Sequence, residues 1–150
     1  MFDAQKSEGQ ANLILCSYKK LLGKDLIVVN ETESIAEQLY NAPMVVLSHG
    51  TQDDPIFNFG SAMALERFEL NWEELTKLAS RYSAEAPNRE ERKRLLDRVN
   101  SDGYIDDYQG VRISSSGKRF LIRQATVWNL TNEKGDYLGQ AAAFDQWEDL

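Results

Sequence analysis

One histidine, one cysteine and three prolines are all that 150 residues hold of these types. The single Cys16 excludes an internal disulfide and a cysteine-rich metal centre, and it suits a reducing compartment, so a cytoplasmic location is expected. The single His49 has no second histidine or cysteine at ligand spacing, and structural zinc needs four ligands. No apolar run approaches the length of roughly 18 residues that a membrane-crossing helix needs. Met1–Gly9 lacks the basic start and apolar core of a secretory signal. Positive charge is also short. Against 24 acids stand 17 basic residues, a net charge of -7 that repels a phosphate backbone, so neither nucleic acid nor a membrane is expected as partner. The densest basic stretch, Arg89 to Arg94, also carries Glu90 and Glu91, the mixed pattern of a solvated helix face. Phosphate-cradling glycine loops and the alternating oxygen ligands of a calcium loop are missing as well.

What is present reads as one α+β chain. Ala11–Leu22 carries Leu15, Tyr18 and Leu22 at helical spacing before Gly23, and Cys16 is expected to pack within it. Asn30 with Glu33 makes a capping-box pattern for a second helix ended by Pro43. Residues 1–42 are therefore expected to form a helical extension, and residues 43–150 the main domain. Met44–His49 and Ile56–Phe59 read as strands around a turn at Thr51–Pro55, where the adjacent acids Asp53 and Asp54 are turn residues. Ser61 caps a helix to Phe68, and Asn71 with Glu74 opens another that is expected to end near Ala79. Asn88 with Glu91 opens a third, carrying Leu95, Leu96 and Val99. The period then changes to two. Tyr104–Ser114, Arg119–Leu130 and Tyr137–Trp147 read as three strands of a meander joined by turns at Ser115–Lys118 and Thr131–Asp136.

Two strands, a group of helices and three strands match the plan of a PAS domain, a five-stranded antiparallel sheet with helices on one side, here preceded by the N-terminal helices. Val46-Leu-Ser-His-Gly50, Asp54-Pro-Ile-Phe-Asn-Phe59, Gly110 to Phe120, Val127-Trp-Asn-Leu130 and Gly139-Gln-Ala-Ala142 together resemble the MEKHLA domain family, which is PAS-like. The resemblance is to a stand-alone member, and it implies a sensory or regulatory module with no catalytic residues to carry over. Many PAS-like sequences place an asparagine where this chain has Ser61.

The candidate ligand-binding residues are His49 at a strand end, Phe57 and Phe59 on the second strand, Gln124, Thr126 and Trp128 on the long strand, and Gln140 and Phe144 on the last. By period two, Phe120, Ile122, Gln124, Thr126 and Trp128 share one face, and Leu138, Gln140, Ala142 and Phe144 another. Buried amides need partners, and a ligand is one way to supply them. The opposite face of the long strand, Arg119, Leu121, Arg123, Ala125 and Val127, is expected to meet the N-terminal helices or a second copy. Gln140 resembles the flavin-bonding glutamine of flavin-binding PAS domains. The absence of cysteine after residue 16 excludes cysteinyl-adduct photochemistry. The helix from Arg89 lacks the axial histidine of PAS haem sensors. No cofactor is assigned, flavin and haem being the weaker alternatives. The expected function is a non-enzymatic sensory domain with a small-molecule ligand, signalling through helix packing or a homodimer. The alternatives are a protein-interaction module with a filled core, and a small enzyme using His49 as acid/base.

Overall fold

Short polar side chains set the helix starts. In the computed structural model, which describes residues 1–84 and 86–150 without the side chains of residues 86–89 and 92, Asp3 caps α1 (Ala4–Leu22) and Ser34 caps α2 (Ile35–Tyr40). Asn71 and Glu74 form the expected capping box of α4, which is a single turn, Trp72–Leu75. The helix expected to reach Ala79 stops sooner: Ala79 bridges Ile56, and a 3-10 helix, Ser80–Ser83, follows. The capping box expected at Asn88 lies outside the described residues; α5 spans Ala86–Asp102. The box expected at Asn30 does not form. Asn30 instead accepts from the Thr32 amide, closing a local turn, and the helix begins behind Ser34.

Ser61 caps α3 (Ala62–Phe68) through the Ala64 amide at 3.3 Å. Fully buried, it also accepts from the Val46 amide and donates to the Met44 carbonyl, at 3.0 and 2.9 Å. One hydroxyl thus ties β1 (Val45–His49) to the strand-to-helix junction after β2 (Phe57–Gly60).

The sheet is antiparallel throughout, in the order β2-β1-β5-β4-β3, with β3 Tyr104–Ile113, β4 Arg119–Thr131 and β5 Tyr137–Phe144. The expected last strand breaks at Asp145, and a sixth strand, β6 (Gln146–Asp149), pairs with the first half of β4. Opposite this break β4 carries a bulge. Two steps along β3, Tyr108 to Gly110, span three along β4, Ala125 to Ile122, and Gln124 has a positive φ of 48°. The bulge reverses which face each later residue presents. Phe120 and Ile122 face the same core as Ala125 and Val127, whereas Trp128 and Leu130 face the other. The face expected to join Phe120, Ile122, Gln124, Thr126 and Trp128 therefore does not exist. Gln124 is exposed, and Thr126 lies beside Ala143 on the opposite side from Ile122.

The sheet consequently has two cores. On one side lie α3, α4 and α5, with Phe68, Leu75, Leu95 and Val99 against Val45, Phe57, Ile122 and Phe144. On the other lie α1 and α2, with Ile14, Tyr18 and Leu39 against Val46, Phe59, Trp128 and Leu130. The buried stripe of α1 runs Ser7, Ala11, Ile14 and Tyr18, so Leu15 is only half-buried and Cys16 is exposed rather than packed. Polar contacts fix this helix to the sheet. The Trp128 indole donates to the Ile14 carbonyl at 3.2 Å, and Ser17 Oγ bonds both the amide and the carbonyl of Thr131. Gln10 donates to Ser48 and Asn58. Glu8 accepts from the Ile35 and Ala36 amides and the Ser34 hydroxyl, joining α1 to the start of α2. Those two amides, Ala36 first, hold its carboxyl below the usual carboxylate range. No described helix is long and apolar enough to cross a membrane.

Glu69 ends α3 in the left-handed region, with a φ of 57°. Glycine is the usual residue at such a position. The Glu69 side chain explains the exception. Its carboxylate accepts from Ser114 at 2.6 Å and from Ser116, and it pairs with Lys118 at 3.3 Å, which pins the β3–β4 turn to the helix. The Ser114 bond leads in lowering its pKa from 4.5 to about 2. Stability drawn from a lowered carboxylate pKa is complete above the unfolded value and disappears as pH falls through the folded one. The melting-temperature gap between the wild type and Glu69→Gln should therefore stay constant from about pH 7 to about pH 5 and close towards about pH 2. A gap that does not change with pH contradicts the assignment.

Candidate functional site

The inner face of the sheet and the helices above it enclose a cavity of about 80 Å³. Strand alternation supplies its floor. Leu47 and His49 come from β1, Tyr108 and Arg112 from β3, Ile122, Ala125 and Val127 from β4, and Gln140, Ala142 and Phe144 from β5. Phe57 of β2 adds to it from the sheet edge, and Phe68, Ser80, Ser83 and Leu95 close it from the helix side. A neighbouring cavity of about 390 Å³, reaching Leu70, Leu78 and the Ser114–Ser115 turn, shares Phe57, Phe68 and Ser83 with the first. Those two rings stand between them.

Of the residues expected from sequence, the structure brings His49, Phe57, Gln140 and Phe144 together on this cavity. Phe59 and Trp128 are buried in the other core, under α1 and α2. Gln124 is exposed at the bulge, and Thr126 is half-buried outside the cavity. Sequence reasoning passes over Tyr108, Arg112, Ser80 and Ser83. The first two have a legible signal: Tyr108, Gly110 and Arg112 alternate along one strand, with the residue lacking a side chain between two large ones.

That glycine has a specific use. A Cβ on Gly110 would fall on the Tyr108 hydroxyl, because the Tyr108 side chain lies across it. The Arg112 guanidinium carbon sits 5.1 Å from the Tyr108 ring centroid, and Nη1 donates to the Val111 carbonyl at 2.9 Å. The ring contact is of the cation–π kind. Arg112 is 8% exposed. Among the described residues no carboxylate lies within ion-pair distance of it.

At the other end of the cavity Gln140 lies between His49 on β1 and Asn129 on β4 as a cross-strand neighbour of both. Its amide nitrogen donates to Asn129 at 2.9 Å and to Asn100 of α5 at 3.3 Å, and Asn129 in turn donates to the Val99 carbonyl. This glutamine is engaged with the protein's own helix. The His49 ring sits against its own strand end, with Nδ1 2.9 Å from the Gly50 carbonyl. A carbonyl only accepts, so Nδ1 is the donor in this contact. In the turn that follows, Asp54 accepts from Arg81 Nε at 3.1 Å. Among the described residues none lining the cavity is Asp or Glu, and no group of three or more acids, histidines or cysteines could hold a metal ion.

The family model for the MEKHLA domain matches residues 8–149. The chain belongs to the MEKHLA domain family. The match begins inside α1 and takes in every later element named above except the last residue of the chain. No curated protein sequence matches this MEKHLA domain. Among solved structures it is similar to a PAS domain from Colwellia psychrerythraea, at 10% identity and a TM-score of 0.66, covering 81% of this chain and 98% of that one. It is also similar to the light-state dimer of the fungal blue-light photoreceptor Vivid, at 13% identity and a TM-score of 0.61, covering 89% and 90%. An RNA-binding light-oxygen-voltage receptor is similar at 8% identity and a TM-score of 0.65, over 84% of this chain and 35% of that one. At these identities the likeness is one of fold, and the fold is that of a PAS domain.

The Tyr108–Gly110–Arg112 arrangement can be tested by a double-mutant cycle. Gly110→Ala should cost about 1 to 3 kcal/mol in urea unfolding, the usual penalty of overpacking. Adding it to Tyr108→Ala should cost much less, because the clash partner is gone. Equal costs in both backgrounds would show that Tyr108 does not lie over Gly110.

Proposed function

We propose that this MEKHLA domain is a non-enzymatic sensory module in which a small molecule in the inner cavity changes how tightly α1 packs on the outer face. The observation that carries the reading is that the same strands serve both sides. Val127 lines the cavity and Trp128, the next residue, bonds the Ile14 carbonyl of α1. Leu47 and His49 line the cavity on either side of Ser48, whose hydroxyl receives Gln10 of α1. Ala142 lines it between Ala141 and Ala143, which belong to the core under α1. A shift of any of these strands that suits a ligand on one face is felt on the other. The ligand biases α1 only by the difference in its affinity for the two arrangements.

An α1 loosened from the sheet uncovers Trp128, Leu130 and Phe59, and a second copy of the chain is the natural cover for such a face. The output is therefore α1 packing, exchanged in the limit for a homodimer. The light-state dimer of Vivid, similar in fold, is one precedent for the pairing of such modules.

The reading is tested without any ligand by filling the cavity from within. Ala142→Leu adds volume on the cavity side. It should speed amide hydrogen exchange in Ala11–Leu22 by about tenfold or more, equivalent to about 1.4 kcal/mol of local opening, while the β3–β4 pairs around Val111 and Leu121 keep their protection. Unchanged exchange in α1, or equal loosening of every element, would remove the coupling.

A further inference from the structure

The cavity carries an unusual charge distribution for this protein. The chain has 24 acids and 17 basic residues, yet among the described lining residues there is no acid and one permanent cation, Arg112. A guanidinium has five N–H donors and cannot be neutralised by losing its proton. One of its nitrogens, Nη1, reaches the Val111 carbonyl, and the Tyr108 ring supports the group from one side. Among the described residues it has no other hydrogen-bond acceptor. Among the described residues the buried guanidinium has no counter-charge, and a carbonyl with one ring offsets only part of the cost of taking it out of water. Arg112 is nevertheless built in with care, because Gly110 must lack a side chain for Tyr108 to lie where it does.

We propose that the cavity binds a small aliphatic carboxylate, its oxygens on the Arg112 guanidinium and its carbon chain against Phe57, Phe68, Leu95 and Ile122. The proposal rests on the reading of this cavity as the sensory site and names the class of molecule it takes. The planar fork of a guanidinium matches a carboxylate in two parallel hydrogen bonds, and the Tyr108 ring packs beside it. A phosphate or sulfate fits less well. It brings more charge than one arginine offsets, and the rest of the lining is mainly apolar. A cavity of about 80 Å³ holds a handful of non-hydrogen atoms, which points to short chains such as propionate and butyrate.

The test is a titration of isotopically labelled protein with propionate and butyrate, and in parallel with propionamide and butyramide, which keep the shape and lose the charge. The acids should shift the Ala125 and Ala142 methyl resonances and bind at least about tenfold more tightly than the amides, the usual gain from a charge-assisted pair. Arg112→Gln should abolish that preference, and Arg112→Lys should keep part of it. Without ligand, Arg112→Gln should melt no lower than the wild type, an outcome that a purely structural arginine would not give. Amides binding as tightly as acids, or no acid binding at millimolar concentration, overturn the proposal. So does an Arg112→Gln protein that still prefers acids. The wild-type comparison of acid with amide decides even if that variant fails to fold. The α1 exchange measured in Ala142→Leu involves no ligand, so a failure here leaves the coupling between cavity and helix standing.

Discussion

Gln124 is the residue on which the two faces of this sheet turn. Its φ of 48° lies in the left-handed region. A side chain held there costs roughly 1–2 kcal/mol relative to ordinary strand geometry. The return is larger. Without the bulge, Trp128 and Leu130 would point at the inner helices and Val127 at α1. Each large apolar side chain so misplaced forfeits about 1.5 to 3 kcal/mol of burial. The strain is therefore held in place by both cores at once. It also sets the cavity, because Ile122 and Ala125 can both line it only if three residues of β4 run against two of β3.

From that reversal follows the division of labour between neighbouring residues. Val127 and Trp128, His49 and Ser48, and Ala142 and Ala143 are adjacent in the chain and opposite in role. The first of each pair lines the inner cavity and the second meets α1 or the core beneath it, with Ser48 reaching the cavity as well. The α1 contacts are specific as well as apolar: an indole on a helix carbonyl, a serine on both groups of Thr131, a glutamine on the Ser48–Asn58 pair. Such bonds have one good geometry, so a small displacement of the strands weakens them together.

Much of this is legible in the sequence. Ser61 and Asn71 act as the caps their types and spacing imply, and the strands of the meander begin within a residue of their expected starts. Strict period-two reading then carries Gln124, Thr126 and Trp128 onto the wrong face, because a bulge leaves no compositional mark when the extra residue is a glutamine rather than a glycine. The same reading breaks down at Asp145, where β5 gives way to β6. Asn30 looks like a cap because its type and its Glu33 fit, but Ser34 has help from a distance: Glu8, some 26 residues earlier, supplies the acceptors for the Ile35 and Ala36 amides. Arg112 is hidden for another reason. A basic residue on a strand usually marks the wet face, and only the neighbouring Tyr108 and Gly110 reveal that this one points inward.

The central claim is that the cavity and α1 hold opposite sides of the same strands and so report on each other. It is tested most directly from the helix side, since a coupling of this kind acts in both directions. Ser17→Ala removes the bonds to Thr131 without touching the cavity. Methyl resonances of Leu95 and Ile105, on the far side of the sheet from Ser17, are then compared with those of the wild type. The account predicts that both move in the direction that a loosened α1 imposes. Methyl positions identical to the wild type, alongside a measurable loss of α1 protection, would contradict it.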